Sequence, residues 1–151
     1  MNPLIETWQI HNRINLYLLD GIDEANLKDI SASKGRSVGE QFAHMHNVRL
    51  MWLKVAATEL LEGLAKIEKE QVTKEKLAIE LKNSSLAVES LFEKSQSTGK
   101  IKGFKPNATA FLGYLVSHES HHRGQIMLAL KQSGHPVNQK LQYGIWEWGT
   151  R

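Results

Sequence analysis

The sequence predicts an all-α protein, an antiparallel four-helix bundle, and three observations carry that prediction. Apolar residues recur at spacings of three and four along four long stretches, the period of a helix with one buried face. Strand signals are nearly absent, with no hairpin dipeptide between alternating runs. Each long stretch is bracketed by residues that start and stop helices.

The first helix spans about residues 3–20. Asn2 caps it, Pro3 takes its first position, Leu4, Trp8, Ile14 and Leu18 carry it, and Gly21 stops it. The second spans about 38–62, where Ser37-Val38-Gly39-Glu40 is a capping box and Val38, Phe42, Met45, Trp52, Ala56 and Leu60 form a stripe down to Gly63. Thr73 opens the third, about 73–95, with Leu77, Leu81, Leu86, Val88 and Leu91 near its buried side; a surface loop rich in Ser, Lys and Gly follows. The fourth spans about 107–133, its stripe running Phe111, Leu115, His118, His122, Ile126 and Ala129 until Gly134 and Pro136 end it. The aromatic tail from Tyr143 to Trp148 shows no helical pattern and is expected to pack against the bundle or a second subunit. Trp8, Trp52 and Trp146 read as packing residues.

At 151 residues the chain is expected to form one domain, residues 1–151, with a core that needs no covalent staples. It contains no cysteine, so disulfide scaffolds, thiolate metal cages and a cysteine nucleophile are excluded, and a bound metal must use His, Asp or Glu. The net charge of +3 is dispersed: the densest basic stretch, Lys66 to Lys76, interleaves Glu68, Glu70 and Glu75. That is a solvated surface and offers no stripe for nucleic acid. No apolar run approaches the ~20 residues of a membrane span. Pro3, Glu6, His11 and Arg13 interrupt any signal-peptide pattern, and a cytoplasmic protein is expected.

The chemistry concentrates in His118-Glu119-Ser120-His121-His122-Arg123-Gly124-Gln125. Residues four apart on a helix share a face, so His118 and His122 can aim ring nitrogens at one ion, whereas His121 points roughly 100° away from His122. Both lie on the apolar stripe, and buried imidazoles need partners. The second helix offers His44 or His46 as a third ligand. These two point nearly opposite ways, because two residues turn a helix by about 200°, and periodicity does not choose between them. The same residues also fit His-Glu-x-x-His, the zinc-protease pattern in which the Glu activates water. The longer metzincin form fails at Gln125 and Leu128, and the chain shows no sheet edge to present a peptide.

The stretch Ser37-Val38-Gly39-Glu40-Gln41-Phe42-Ala43-His44-Met45, with the His-x-x-x-His-x-Gly-Gln block of the last helix, resembles the DinB/YfiT-like family of metal-dependent helical bundles. The likeness runs over nearly the whole chain, through Trp8, Arg49 and Trp52. The resemblance implies a three-histidine site, His44, His118 and His122, with His46 in a supporting or structural place. It implies zinc or nickel as the ion, and a thiol S-transferase acting on a small-molecule substrate with bacillithiol or a similar low-molecular-weight thiol. A metal-dependent hydrolase, or a structural or stress-related metal-binding bundle without turnover, are the alternatives. Family members are often dimers, so a homodimer is expected.

Other residues take smaller roles in this reading. Glu119 is a candidate base or imidazole-orienting group, against a plain surface or inter-subunit acid. Gln125 is a candidate hydrogen-bonding partner of a ligand or bound water, against a core-edge amide. Arg49 and Arg123 are candidates to hold a substrate carboxylate, against solvated or paired arginines. Gly124 reads as a point of close approach for another helix.

Overall fold

The computed structural model describes residues 2–151. Its four long helices, α1 (Pro3–Asp20), α2 (Val38–Ala56), α3 (Lys74–Ser95) and α4 (Ala108–Gln132), are followed by a short α5 (Gln139–Gly144). Among the described residues there is no strand, only an isolated antiparallel bridge between Ile101 and Phe104. None of these helices is long and apolar enough to cross a membrane.

The helix starts follow their capping side chains. Asn2 accepts from the Leu4 N–H at 2.9 Å ahead of Pro3, and Thr73 and Asn107 accept from Lys76 and Ala110 at 3.1 and 2.8 Å. The capping box forms as expected: Glu40 N–H donates to Ser37 Oγ at 3.2 Å, and the Glu40 carboxylate accepts from the Ser37 N–H. Each such cap contributes about 1 kcal/mol.

Four local expectations are corrected. α2 ends at Ala56, six residues short of the predicted end, and Thr58–Leu61 form a 3₁₀ turn. Ala57 leaves helical geometry at φ −162° and ψ 80°, and the turn lays Leu60, Leu61 and Leu64 against the core. Leu86 of α3 faces outward, because Ser84 and Ser85 take the buried positions beside it. The tail is not featureless: Asn138 caps α5 through the Leu141 N–H at 2.8 Å, Leu141 is buried, and Gly144 approaches the Tyr17 hydroxyl more closely than any side chain would allow. Six residues are too few to show a helical period. Trp148 packs on the core, whereas Trp146 is 74% exposed and is no packing residue of this chain.

The core is divided in two. One apolar cluster gathers Ile14, Leu18, Phe42, Met45, Leu77, Leu81 and Ile126; the other gathers Trp8, Leu53, Val88, Phe92, Phe111 and Leu115. Between them lies a buried polar layer to which every long helix contributes: His11, Asn12 and Asn15 from α1, Arg49 from α2, Ser84 from α3, and Glu119 and Arg123 from α4. Buried polar atoms are tolerable only when hydrogen-bonded, and the Arg49 side chain uses all of its donors. Its Nε and Nη2 hold the two Glu119 oxygens at 2.8 and 2.6 Å, Nη1 bonds the Leu81 carbonyl and Ser84 Oγ, and Nη2 also bonds Asn12 Oδ1. The Trp8 ring covers the guanidinium, its centroid 4.8 Å from Cζ.

Candidate metal centre

α2 and α4 run antiparallel. Gln41 meets His122 toward one end of the pair, and Trp52 packs on Phe111 and Tyr114 toward the other. At the outer edge of the polar layer this pairing brings His44 from α2 against His118 and His122 of α4. The ring centroids are separated by 5.3 Å (His44 to His118), 4.6 Å (His44 to His122) and 4.6 Å (His118 to His122). One nitrogen from each ring lies within 4.8 Å of the other two, an arrangement able to hold a metal ion.

The donor set fits a divalent ion. The Nε2 atoms of His118 and His122 face each other at 3.1 Å. Two ligands at tetrahedral zinc with bonds of about 2.0–2.1 Å sit roughly 3.3 Å apart, so this pair is already near coordination spacing. His122 Nδ1 donates to Gln41 Oε1 at 2.5 Å, which keeps the proton on Nδ1 and leaves Nε2 a lone pair. His118 Nδ1 is buried with no partner among the described residues, so the rings by themselves do not satisfy one another. The three imidazoles are also held neutral. Burial, then the positive charge of Arg36 and the neighbouring His118, push His44 down to about 4. Burial, then His118 and His44, push His122 down to about 4 as well. His118 is lowered by burial, partly offset by Glu119. With no carboxylate among the three donors, a divalent ion keeps its full charge, and three protein ligands leave room for an exogenous one.

The other histidine of α2 is not part of this group. His46 is fully buried on the opposite face, with its two ring nitrogens on the Glu80 carbonyl at 3.1 Å and the Ala65 carbonyl at 2.8 Å. It ties α2 to α3 and to the segment after Gly63.

Glu119, one residue from His118, projects inward and is fully buried. Its oxygens are taken by Arg49, by Asn15 Nδ2 at 2.8 Å and by His11 Nε2 at 3.2 Å. It is therefore no surface acid, and it makes no hydrogen bond to any of the three clustered imidazoles. Burial by itself would raise its pKa, but the Arg49 charge and hydrogen bonds hold it well below the usual carboxylate range. The same inward direction removes the Glu of the His-Glu-x-x-His pattern from the water-activating position a protease needs.

Arg49 and Arg123 are likewise spent internally, Arg123 on Asn15 Oδ1 at 2.6 Å and Ser120 Oγ at 2.9 Å, so neither is free for a substrate carboxylate. Gln125 is half-buried and makes no side-chain hydrogen bond among the described residues. Gly124 faces open space, with nothing within 4 Å of a Cβ built there, so it does not mark a close helix approach. The residue that sequence reasoning missed is Gln41. It stands one turn before His44 on the same face, and that spacing was its only signal.

No curated protein matches the chain. A family model for the DinB family matches residues 1–141, which includes all four long helices and the three clustered histidines. The chain therefore belongs to the DinB family.

Proposed function

We propose that the protein is a metal-dependent thiol S-transferase whose divalent ion, zinc or nickel, is held by His44, His118 and His122. The observation that carries the reading is the convergence of three neutral imidazoles, and no acid, at the outer edge of the bundle. Imidazole donors suit both ions. In such a site a bound ion stabilises a low-molecular-weight thiol, of the bacillithiol type, as its thiolate, or lowers the pKa of water. The chain's own residues prepare this chemistry. Gln41 keeps the His122 lone pair aimed at the site, burial keeps protons off the ligands, and the Arg49–Glu119 pair fixes α2 against α4 immediately behind them. The positive charge of Arg36 is felt by all three histidines and favours an anionic co-substrate near the ion.

The test is conjugation by the metal-loaded chain. Thiol consumption is followed with an epoxide or a chloronitro-aromatic as electrophile, beside His118→Ala. Metal-dependent turnover lost in the variant supports the transferase. Tight metal binding with no conjugation by any thiol would make the protein a metal-binding bundle without turnover.

A further inference from the structure

The metal-binding face continues into an apolar, largely aromatic strip. One helical turn before His118, Tyr114 stacks on that ring with centroids 6.3 Å apart and planes at 11°, and 39% of its surface is exposed. It is held from behind by Trp52 and Phe104, each 5.5 Å away between centroids, and by Phe111 at 6.4 Å. On α2, Met51 and Val55 follow His44 by about two and three helical turns, within roughly 20° of its direction around the helix. They are 66% and 49% exposed. Gly103 lies so close to Val55 that any side chain there would collide with it, which brings loop backbone to the far end of the strip.

Exposed apolar side chains gathered beside a polar centre have the composition of a small-molecule pocket wall. Tyr114 is already fixed by its neighbouring rings, so a ligand ring packing on its exposed surface orders little that is not ordered beforehand. We propose that this strip is the second-substrate subsite of the three-histidine centre, and that it selects an electrophile carrying a planar aromatic group, held beside the metal-bound thiol. The proposal rests on the thiol-transfer reading above and adds the class of the second substrate: thiol at the three imidazoles, aromatic ring of the electrophile on Tyr114 between the Met51 and Val55 side chains and the aromatic cluster, an arrangement that benzyl mercaptan mimics in one molecule.

The experiment uses the full chain loaded with cobalt, titrated with ethanethiol and with benzyl mercaptan, which share a thiol and differ by a ring. The cobalt absorption band reports head-group binding. With 3-fluorotyrosine incorporated, a fluorine resonance assigned by Tyr114→Phe reports the ring; the chain has three tyrosines. Benzyl mercaptan is expected to bind on the order of tenfold more tightly and to move the Tyr114 resonance, which ethanethiol leaves in place. The preference is expected to fall toward one in Tyr114→Ala and also in Met51→Glu, a substitution at an exposed position that leaves the core intact. Equal affinities with no Tyr114 shift overturn the subsite and leave the thiol reading standing. If neither thiol changes the cobalt band, the thiol reading fails, and benzyl alcohol is titrated instead: a Tyr114 shift upholds the aromatic subsite, and silence overturns it. A Tyr114 resonance that moves with protein concentration rather than with the probe also overturns it, because a second copy then covers the strip.

Discussion

Gln41 on α2 accepts a hydrogen bond from His122 Nδ1 on α4 across 2.5 Å, and that contact decides which nitrogen of His122 is left for a metal. Replacing Gln41 with Leu removes the acceptor while keeping the side chain's bulk. Metal affinity, measured by competition with a chromophoric chelator, is expected to fall about 10- to 100-fold, with one ion per chain still bound at saturation. Unchanged affinity would show that His122 is oriented by something else.

The two histidines of α2 separate function from stability. His46→Leu removes the one imidazole N–H that the buried Glu80 or Ala65 carbonyl accepts and is expected to cost about 1–3 kcal/mol in urea denaturation, with metal stoichiometry retained. His44→Ala is expected to do the reverse, losing metal with little change in the stability of the metal-free protein. If His46→Leu lost the ion and His44→Ala kept it, the ligand assignment on α2 would be wrong.

Arg49→Met leaves the Glu119 carboxylate buried without its cation, and breaking such a pair costs about 3–5 kcal/mol. Because the penalty is that of a stranded charge, the double variant Arg49→Met, Glu119→Leu is expected to recover much of the loss. Equal destabilisation in the single and double variants would contradict this account of the polar layer.

Acid acts on the metal-free protein through the same histidines. His44 and His122 titrate at about 4 in the folded chain against 6.5 for the ordinary group, burial being the first cause in both. Between those values the unfolded chain binds more protons than the folded one, so stability rises with pH across this window. Their contribution is fully present above about 6.5 and is lost as the pH falls to about 4. The urea midpoint of metal-free protein is expected to drop between pH 7.5 and pH 5; a midpoint that rises over this interval would reverse the sign of the argument.

What could be read in the sequence follows what is local. The caps at Asn2, Ser37 and Thr73 act within one turn, and each fixed a helix start that the structure keeps. The His118 and His122 pairing is also local, one turn of one helix. His44 against His46 was not, because the choice depends on which side of α2 meets α4, and only the family resemblance pointed to His44. The inward placement of Glu119 and its pairing with Arg49 were hidden for a related reason. Sequence patterns treat charged residues as outward-facing, and a charge pairing across seventy positions of the chain leaves no periodic trace. The end of α2 was hidden because Leu60 continues the helical period although Ala57 has already left it.

Elemental analysis of the purified chain beside His44→Ala, His118→Ala and His122→Ala addresses the central claim most directly. The three-histidine centre predicts about one divalent ion per chain in the wild type and loss of most of it in every variant. Full occupancy in any one of the three would contradict the centre, and so would a wild-type chain that takes up neither zinc nor nickel.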